Sequence, residues 1–312
     1  MSRRTALGLN IYANGRLDTD YPGSAGHGYG TFGGGGAGVN LEQLFLEPSY
    51  SVSVSPRCAV GASIVAVYQI FATSGLSQFA GFDKSGTPNK LTNQGNDSSL
   101  SVAGKVGILY NLSNSLTFGA VYQSGTSGAK FSKYSDLFAN NGEFDIPAST
   151  SVGLGWRMSK SSLAAFDVQY IEYGDIGSIA NPFSNLLTGG QAGLFGGSNG
   201  AGFGWRSTTY YKLGFQHDLS STWAIRGGVA YGNEPVRSSE VLCNILAPGV
   251  VEWHYTLGGT VKVARSKNIS FAVMYAPDVT VSGPNPMEVP NQQLLSLSMS
   301  QIEWEASYGV RY

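Results

Sequence analysis

Three histidines, two cysteines and one glycine-rich run are the features of this 312-residue chain with which chemistry could be done. Hydrolysis by a serine nucleophile needs a serine, a histidine and a carboxylate brought to one height, the acid orienting the histidine. His254 lies two positions after Glu252 and falls in the polar register of its segment, but no serine and carboxylate partner can be placed beside it. His217 adjoins a short polar turn, and His27 lies in a long connection after Asp18 and Asp20. The run Gly33-Gly-Gly-Gly36-Ala-Gly38 lacks the Lys-Ser/Thr ending of a phosphate loop and reads as a flexible connection. Cys58 and Cys243 alone cannot build a disulfide framework or a site of paired thiolates. These residue types therefore predict no catalytic set, no cofactor and no metal; the chain is expected not to be an enzyme.

Apolar side chains in polar surroundings carry more information. Leu76, Phe79, Phe82, Leu137, Phe138, Phe183, Leu186, Leu187, Leu194 and Phe195 all fall in long connections rich in Gly, Ser and Asn. A solvated connection has no use for them, and contiguous apolar surface marks either a binding site or an intramolecular contact. They are the candidate ligand-binding residues, the competing expectation being that the connections only pack on one another.

Composition limits what can position these residues. Charged residues make up 12% of the chain, half of the roughly 25% of a soluble domain, while glycine numbers 43 and aromatics reach 12%. No apolar run approaches the roughly 20 residues of a membrane helix, so the remaining way to cross a bilayer is a closed β-barrel, in which alternation dilutes the apolar residues. The net charge is −1 and no basic run exceeds Arg3-Arg4, which excludes a nucleic-acid partner. No secretory signal is visible behind Arg3 and Arg4, so the chain is expected to be part of a longer exported parent.

The period-two pattern is strict. Trp253, Tyr255, Leu257, Val261 and Val263 alternate with His254, Thr256, Gly258, Thr260 and Lys262; after a polar turn at 265–268, Ile269, Phe271, Val273 and Tyr275 resume it. The same reading gives segments at 6–13, 44–54, 58–70, 100–112, 116–122, 152–158, 164–170, 211–216 and 223–231, and a last one ending at Tyr312. The expected fold is thus all-β: one antiparallel transmembrane β-barrel domain over 1–312, with about twelve strands. Five polar turns of two to four residues alternate with six long connections at about 15–40, 72–99, 125–146, 174–207, 232–248 and 277–291, as periplasmic turns and extracellular loops do. Trp223, Trp253, Trp304, Tyr231, Tyr255 and Tyr275 are expected near strand ends on the lipid face, as interfacial girdles. A soluble sandwich would bury Val, Ile and Leu there instead. Lys105, Arg157, Asp167, Lys212, Arg226, His254 and Lys262 fall on the other, lumen-facing register. Cys58 and Cys243 are then placed a bilayer apart, about 30 Å, and are expected to be free thiols. Closing the barrel requires 6–13 to pair with the final strand, since lipid tolerates no open edge.

Several stretches together resemble the outer-membrane long-chain fatty acid and hydrocarbon transporters, the FadL-like family. They are Asn14-Gly15 through Thr19-Asp-Tyr21, Phe144-Asp-Ile-Pro147, Ala165-Phe-Asp-Val-Gln169, Gly202-Phe-Gly-Trp205 leading into Tyr211-Lys-Leu-Gly214, Ile245-Leu-Ala-Pro-Gly249, Val281-Ser-Gly-Pro-Asn-Pro286 and the aromatic-ended last strand. The resemblance implies a fourteen-stranded barrel plugged by an N-terminal hatch, with ligands caught by the loops and released through the wall; hatch and first two strands are missing from the pattern here. It implies a bacterial outer-membrane location and a passive channel for hydrophobic compounds, long-chain fatty acids or other hydrocarbons. Expected partners are hydrophobic small molecules, outer-membrane lipid and, through the last strand, the barrel-assembly machinery; a monomer is expected. The loop stretch Gly75-Leu-Ser-Gln-Phe-Ala-Gly81 carries no base to hold a carboxylate, which favours apolar ligands over fatty acids. A general porin for hydrophilic solutes and a truncated, non-functional fragment are the alternatives.

Overall fold

A computed structural model describes residues 4–23, 31–32, 35–86, 90–288 and 290–311, the side chains of Asn14 and Gly15 excepted. His27, Gly33 and Tyr312 lie outside the described residues. Twelve long strands run up and down: β1 (Thr5–Tyr21), β2 (Ala37–Ser55), β3 (Cys58–Ser74), β4 (Asp97–Asn111), β5 (Leu116–Gln123), β7 (Ser149–Arg157), β8 (Ser162–Ile171), β9 (Thr208–Asp218), β10 (Trp223–Gly232), β11 (Trp253–Ala264), β12 (Lys267–Pro284) and β13 (Leu294–Val310). A two-residue strand, β6 (Ser127–Gly128), pairs with β4 beside the main path. Each long strand pairs antiparallel with its sequence neighbours. The longest described helix is the five-residue Ser184–Thr188.

Short turns gather at one end. The connections at 56–57, 112–115, 158–161, 219–222 and 265–266 join strands with two to four residues. In three of them a serine hydroxyl accepts from the backbone ahead: Ser113 from Leu116 N–H (3.0 Å), Ser159 from Ser161 N–H (3.2 Å) and Ser220 from Trp223 N–H (3.1 Å). The last turn is Arg265-Ser266 alone, two residues shorter than the sequence pattern suggests, because Lys267 and Asn268 already pair with Ala264 and Lys262.

Cross-strand register fixes the two faces. Gly119, Gly153, Asp167, Lys212, Ala230 and His254 line up in one row and face the lumen. Their neighbours Leu154, Phe166, Leu213, Tyr255 and Phe271 point outward and are 43–55% exposed, as lipid-facing side chains are in a chain without its bilayer. Near the loop end Tyr211, Tyr231 and Trp253 are register partners, and Tyr255 pairs with Tyr275, forming one aromatic belt. At the turn end Trp223 opens β10. Trp304 is different: it pairs with Val273 in the body of β13 and is 79% exposed. The expectation that it marks a strand end is corrected, because β13 extends ten residues before it.

That extension reflects a polarity reversal. A register shift between Ala276 and Val279 moves β12 out of step with β13; beyond it Val279, Val281, Leu295, Leu297 and Met299 turn inward, and Thr280, Ser282, Ser296 and Ser298 face out and bond to one another across the hairpin. A second shift, between Ala13 and Arg16, leaves Tyr12 opposite Phe45 and Leu17 opposite Leu41, so both face the lumen from positions of opposite parity. Strands therefore continue past the bilayer with a wet outer surface and an apolar inner one.

Among the described residues β1 pairs only with β2 and β13 only with β12. The pairing of 6–13 with the last strand, which closure by twelve strands would require, is not made. Twelve strands bent to the circumference of a fourteen-stranded barrel would leave their edge strands about three strand spacings apart, roughly 14 Å.

Candidate functional site

The apolar loop residues form a core above the barrel. Phe71 of β3 is its centre, with the rings of Tyr134, Phe138 and Phe131 at 4.9, 4.7 and 5.5 Å. Phe79, Leu91, Phe183, Leu186, Phe195, Leu242 and Leu246 pack into the same cluster. Burying a side chain of this size contributes about 1.5–3 kcal/mol, so segments with almost no regular structure are held by packing. Polar contacts fix the register of one loop on the next. The Tyr134 hydroxyl donates to Gly95 O (2.7 Å), Tyr21 donates to Ile245 O (2.7 Å), Trp205 Nε1–H donates to Asn244 Oδ1 (2.5 Å), and the buried Glu240 carboxylate accepts from Phe183 N–H (2.8 Å). Ser178 closes the contact between two loops by donating to Glu143 O.

Of the ten loop residues singled out by sequence, nine belong to this cluster: Leu76, Phe79, Phe138, Phe183, Leu186 and Phe195 buried, and Phe82, Leu137 and Leu194 packed against them. Leu187 does not; it is 48% exposed, because the short helix Ser184–Thr188 turns Leu186 inward and its neighbour out. A cavity of about 70 Å³ lies inside the cluster. Leu76, Phe79, Leu137, Phe138 and Phe195 line it; Phe82, Phe183, Leu186 and Leu194 support the lining from behind. Phe71, Leu91, Phe203, Leu242, Cys243 and Leu246 also line it, and sequence pattern alone missed them. Phe71 lies just past the segment 58–70, Leu91 and Phe203 stand singly between polar residues or glycines, and Leu242, Cys243 and Leu246 belong to the short run Val241-Leu-Cys-Asn-Ile-Leu-Ala247, which has no strand period. Among the described residues no charged side chain lines this cavity. Burial pushes the Cys243 thiol well above its ordinary range, helped by the nearby Glu240.

A second chamber, about 510 Å³, lies below, bounded by Tyr12, Leu41, Phe45, Phe144 and Trp205 with Gln43, Gln123, Gln169 and Asp145 among them. Burial, with repulsion from Glu143, raises the Asp145 carboxyl, against a hydrogen bond from Thr126 and attraction to Lys130. Farther toward the turns the lumen opens into two connected spaces of about 600 and 710 Å³ that share Ala165 and Asp167, with walls of Gly, Ser and Thr. Lys105 pairs with Glu47 at 2.8 Å, an acid that sequence reading passed over. Asp167 stands opposite Lys212, whose ammonium donates to Gln169 (2.7 Å). Arg226 donates to Gln216 (2.8 Å) and Thr260 (2.6 Å), and Lys262 to Ser221 O (3.1 Å). Arg157 sits opposite Leu163 at the turn end, and His254 lines the 600 Å³ space. Lys105, Lys212, Arg226 and Lys262 thus each have a local partner on the inner face. Cys58 and Cys243 are both free.

An antiparallel sheet with an apolar outer face, a polar inner face and a mostly apolar cavity in its loops is the architecture of a membrane transport barrel. The chain belongs to the outer membrane protein transport protein family (OMPP1/FadL/TodX), whose model matches residues 2–294. Members are outer-membrane transport channels, which are not enzymes. No curated protein matches the chain. Among solved structures, the Pseudomonas putida toluene transporter TodX is 16% identical with a TM-score of 0.67, the alignment covering 98% of this chain and 78% of that one. The Ralstonia pickettii toluene transporter TbuX is 16% identical at 0.63, covering 100% and 79%. A FadL homologue from Pseudomonas aeruginosa is 14% identical at 0.68, covering 99% and 76%. At these identities the likeness is one of fold.

Proposed function

We propose that this chain forms the wall and loop trap of a passive outer-membrane channel for compact, uncharged hydrophobic compounds, with hydrocarbons favoured over long-chain fatty acids. The observation that carries the reading is the outer cavity: mostly aromatic and aliphatic, with Thr73 and Ser178 among the lining and no charged side chain among the described residues around it. A carboxylate placed there would lose its hydration without a partner, a cost of several kcal/mol, whereas a hydrocarbon gains about 25 cal/mol for each Å² it buries. The cavity holds about 70 Å³, near half of the roughly 150 Å³ void that takes up benzene in another protein, so a single ring enters by displacing side chains. TodX and TbuX, which are toluene transporters, point the same way. The loops present the trap to the outside, the mixed chamber receives the compound, and the register shift in β1 weakens the wall beside it. The protein acts as a monomer, with outer-membrane lipid around it and assembly directed by its last strand.

Phe79 and Phe195 meet edge to face at 5.9 Å across the trap. Replacing both with serine removes the apolar contact and adds hydroxyls. In cells expressing the exported protein, uptake of labelled toluene should fall about tenfold or more, with palmitate transported poorly by either form. Heat-modifiable migration of the variant on gels checks that it still folds. Unchanged toluene uptake by a folded variant would overturn the trap.

A further inference from the structure

The two upper cavities do not communicate freely. The outer trap and the chamber below share one lining residue, Phe203, whose half-buried ring stands in the wall between them. Beside it Phe138 and Phe144, tilted by 43° with centroids 4.7 Å apart, line one cavity each.

The backbone that carries Phe203 is fixed. A Cβ at Gly202 would lie 2.6 Å from Ser178 O and 2.8 Å from Gly177 O. Gly204 has φ +67° and its α-carbon abuts the Glu240 side chain, where any larger residue would collide. The Phe203 carbonyl accepts from Asn244 Nδ2 at 2.7 Å. Main chain held on three sides leaves the ring's own torsions as the freedom at this point, and the ring has open volume on both sides of it. Rotation of an aromatic ring between staggered positions is fast and needs no loop movement.

We propose that Phe203 is the side chain that moves when a hydrophobic compound passes from the loop trap to the luminal chamber, and that its size sets the largest compound admitted. The inference rests on the channel function argued above. It differs from a binding role in its signature: residue 203 governs rate and size preference, while residues such as Phe79 and Phe195 govern affinity.

The test uses the exported full chain with Phe203→Ala, Phe203→Leu and Phe203→Trp. Initial uptake of toluene and of the three-ring hydrocarbon phenanthrene is measured in cells, and affinity for the fluorescent hydrophobe 1-aminoanthracene on purified protein. Shrinking the side chain should raise the phenanthrene-to-toluene rate ratio about tenfold, and Phe203→Trp should slow both compounds. Affinity, to which Phe203 contributes as one of many lining side chains, should change by a smaller factor than the rate ratio. A rate ratio that is the same in all four proteins overturns the assignment, as does an affinity loss that accounts for the whole change in rate. If Phe203→Ala does not fold, Leu and Trp carry the same comparison. Wild-type uptake no faster than in cells lacking the protein defeats the channel function itself, and this inference with it; wild-type uptake that ignores residue 203 defeats the inference alone.

Discussion

Glu47 shows what one residue does in a barrel wall. Its side chain is 8% exposed, facing the lumen from β2, and the Lys105 ammonium from β4 reaches it at 2.8 Å while Tyr12 donates from β1 at 3.3 Å. Three strands are thus tied across the inner face where the walls are otherwise Gly and Ser. Removing one member of such a pair leaves a poorly hydrated charge, which costs more than the pair contributes. Lys105→Ala is expected to destabilise the folded barrel by about 3 kcal/mol in urea titrations in detergent micelles, whereas Glu47→Leu with Lys105→Met should return to within about 1 kcal/mol of the parent. Equal stability of Lys105→Ala and the parent would show that water reaches Glu47 freely. Lys105 could be placed on the inner register from alternation alone; Glu47 could not be singled out, since a lone acid in an alternating segment looks like any luminal side chain until its partner two strands away is known. Phe203 was hidden for a related reason: its meaning depends on two cavities that exist only once four loops have packed.

At the level of strands, alternation read the membrane-spanning parts well and the outer parts poorly. The twelve segments found by period are the twelve long strands, and the five short turns fall where expected. The strand ends were misjudged because the rule that apolar means outward holds only inside lipid. In β12 it reverses beyond the shift at Ala276 and Val279, so Val279 and Val281 look like loop residues to a reader expecting them outside. Adjacent positions of this hairpin should therefore respond oppositely to one change. Val281 packs in a cluster with Val236, Val241, Val250 and Leu297, and Ser282 faces out toward Ser296. Val281→Asp is predicted to loosen the loop layer by about 3 kcal/mol or more, seen as protease cleavage within 233–252, and Ser282→Asp should leave the cleavage pattern as it was. Similar cleavage in both would mean that the hairpin does not reverse its faces.

For the whole molecule the two ends serve different solvents: an apolar layer of loops above, a lumen lined by polar and charged side chains below, and lipid around the outer face of the sheet. A hydrophilic solute meets the apolar layer first, which argues against a general porin. The account depends on the sheet having one side in lipid and one in water. A cysteine-free background carrying nitroxide labels at each position of β11 from 253 to 263, reconstituted in bilayers, tests this directly by comparing collision with oxygen and with a water-soluble nickel complex. Oxygen accessibility should peak at 255, 257, 261 and 263 and the nickel complex at 254, 256, 258, 260 and 262, the two oscillating in antiphase with period two. Profiles in phase, or without that period, would contradict it.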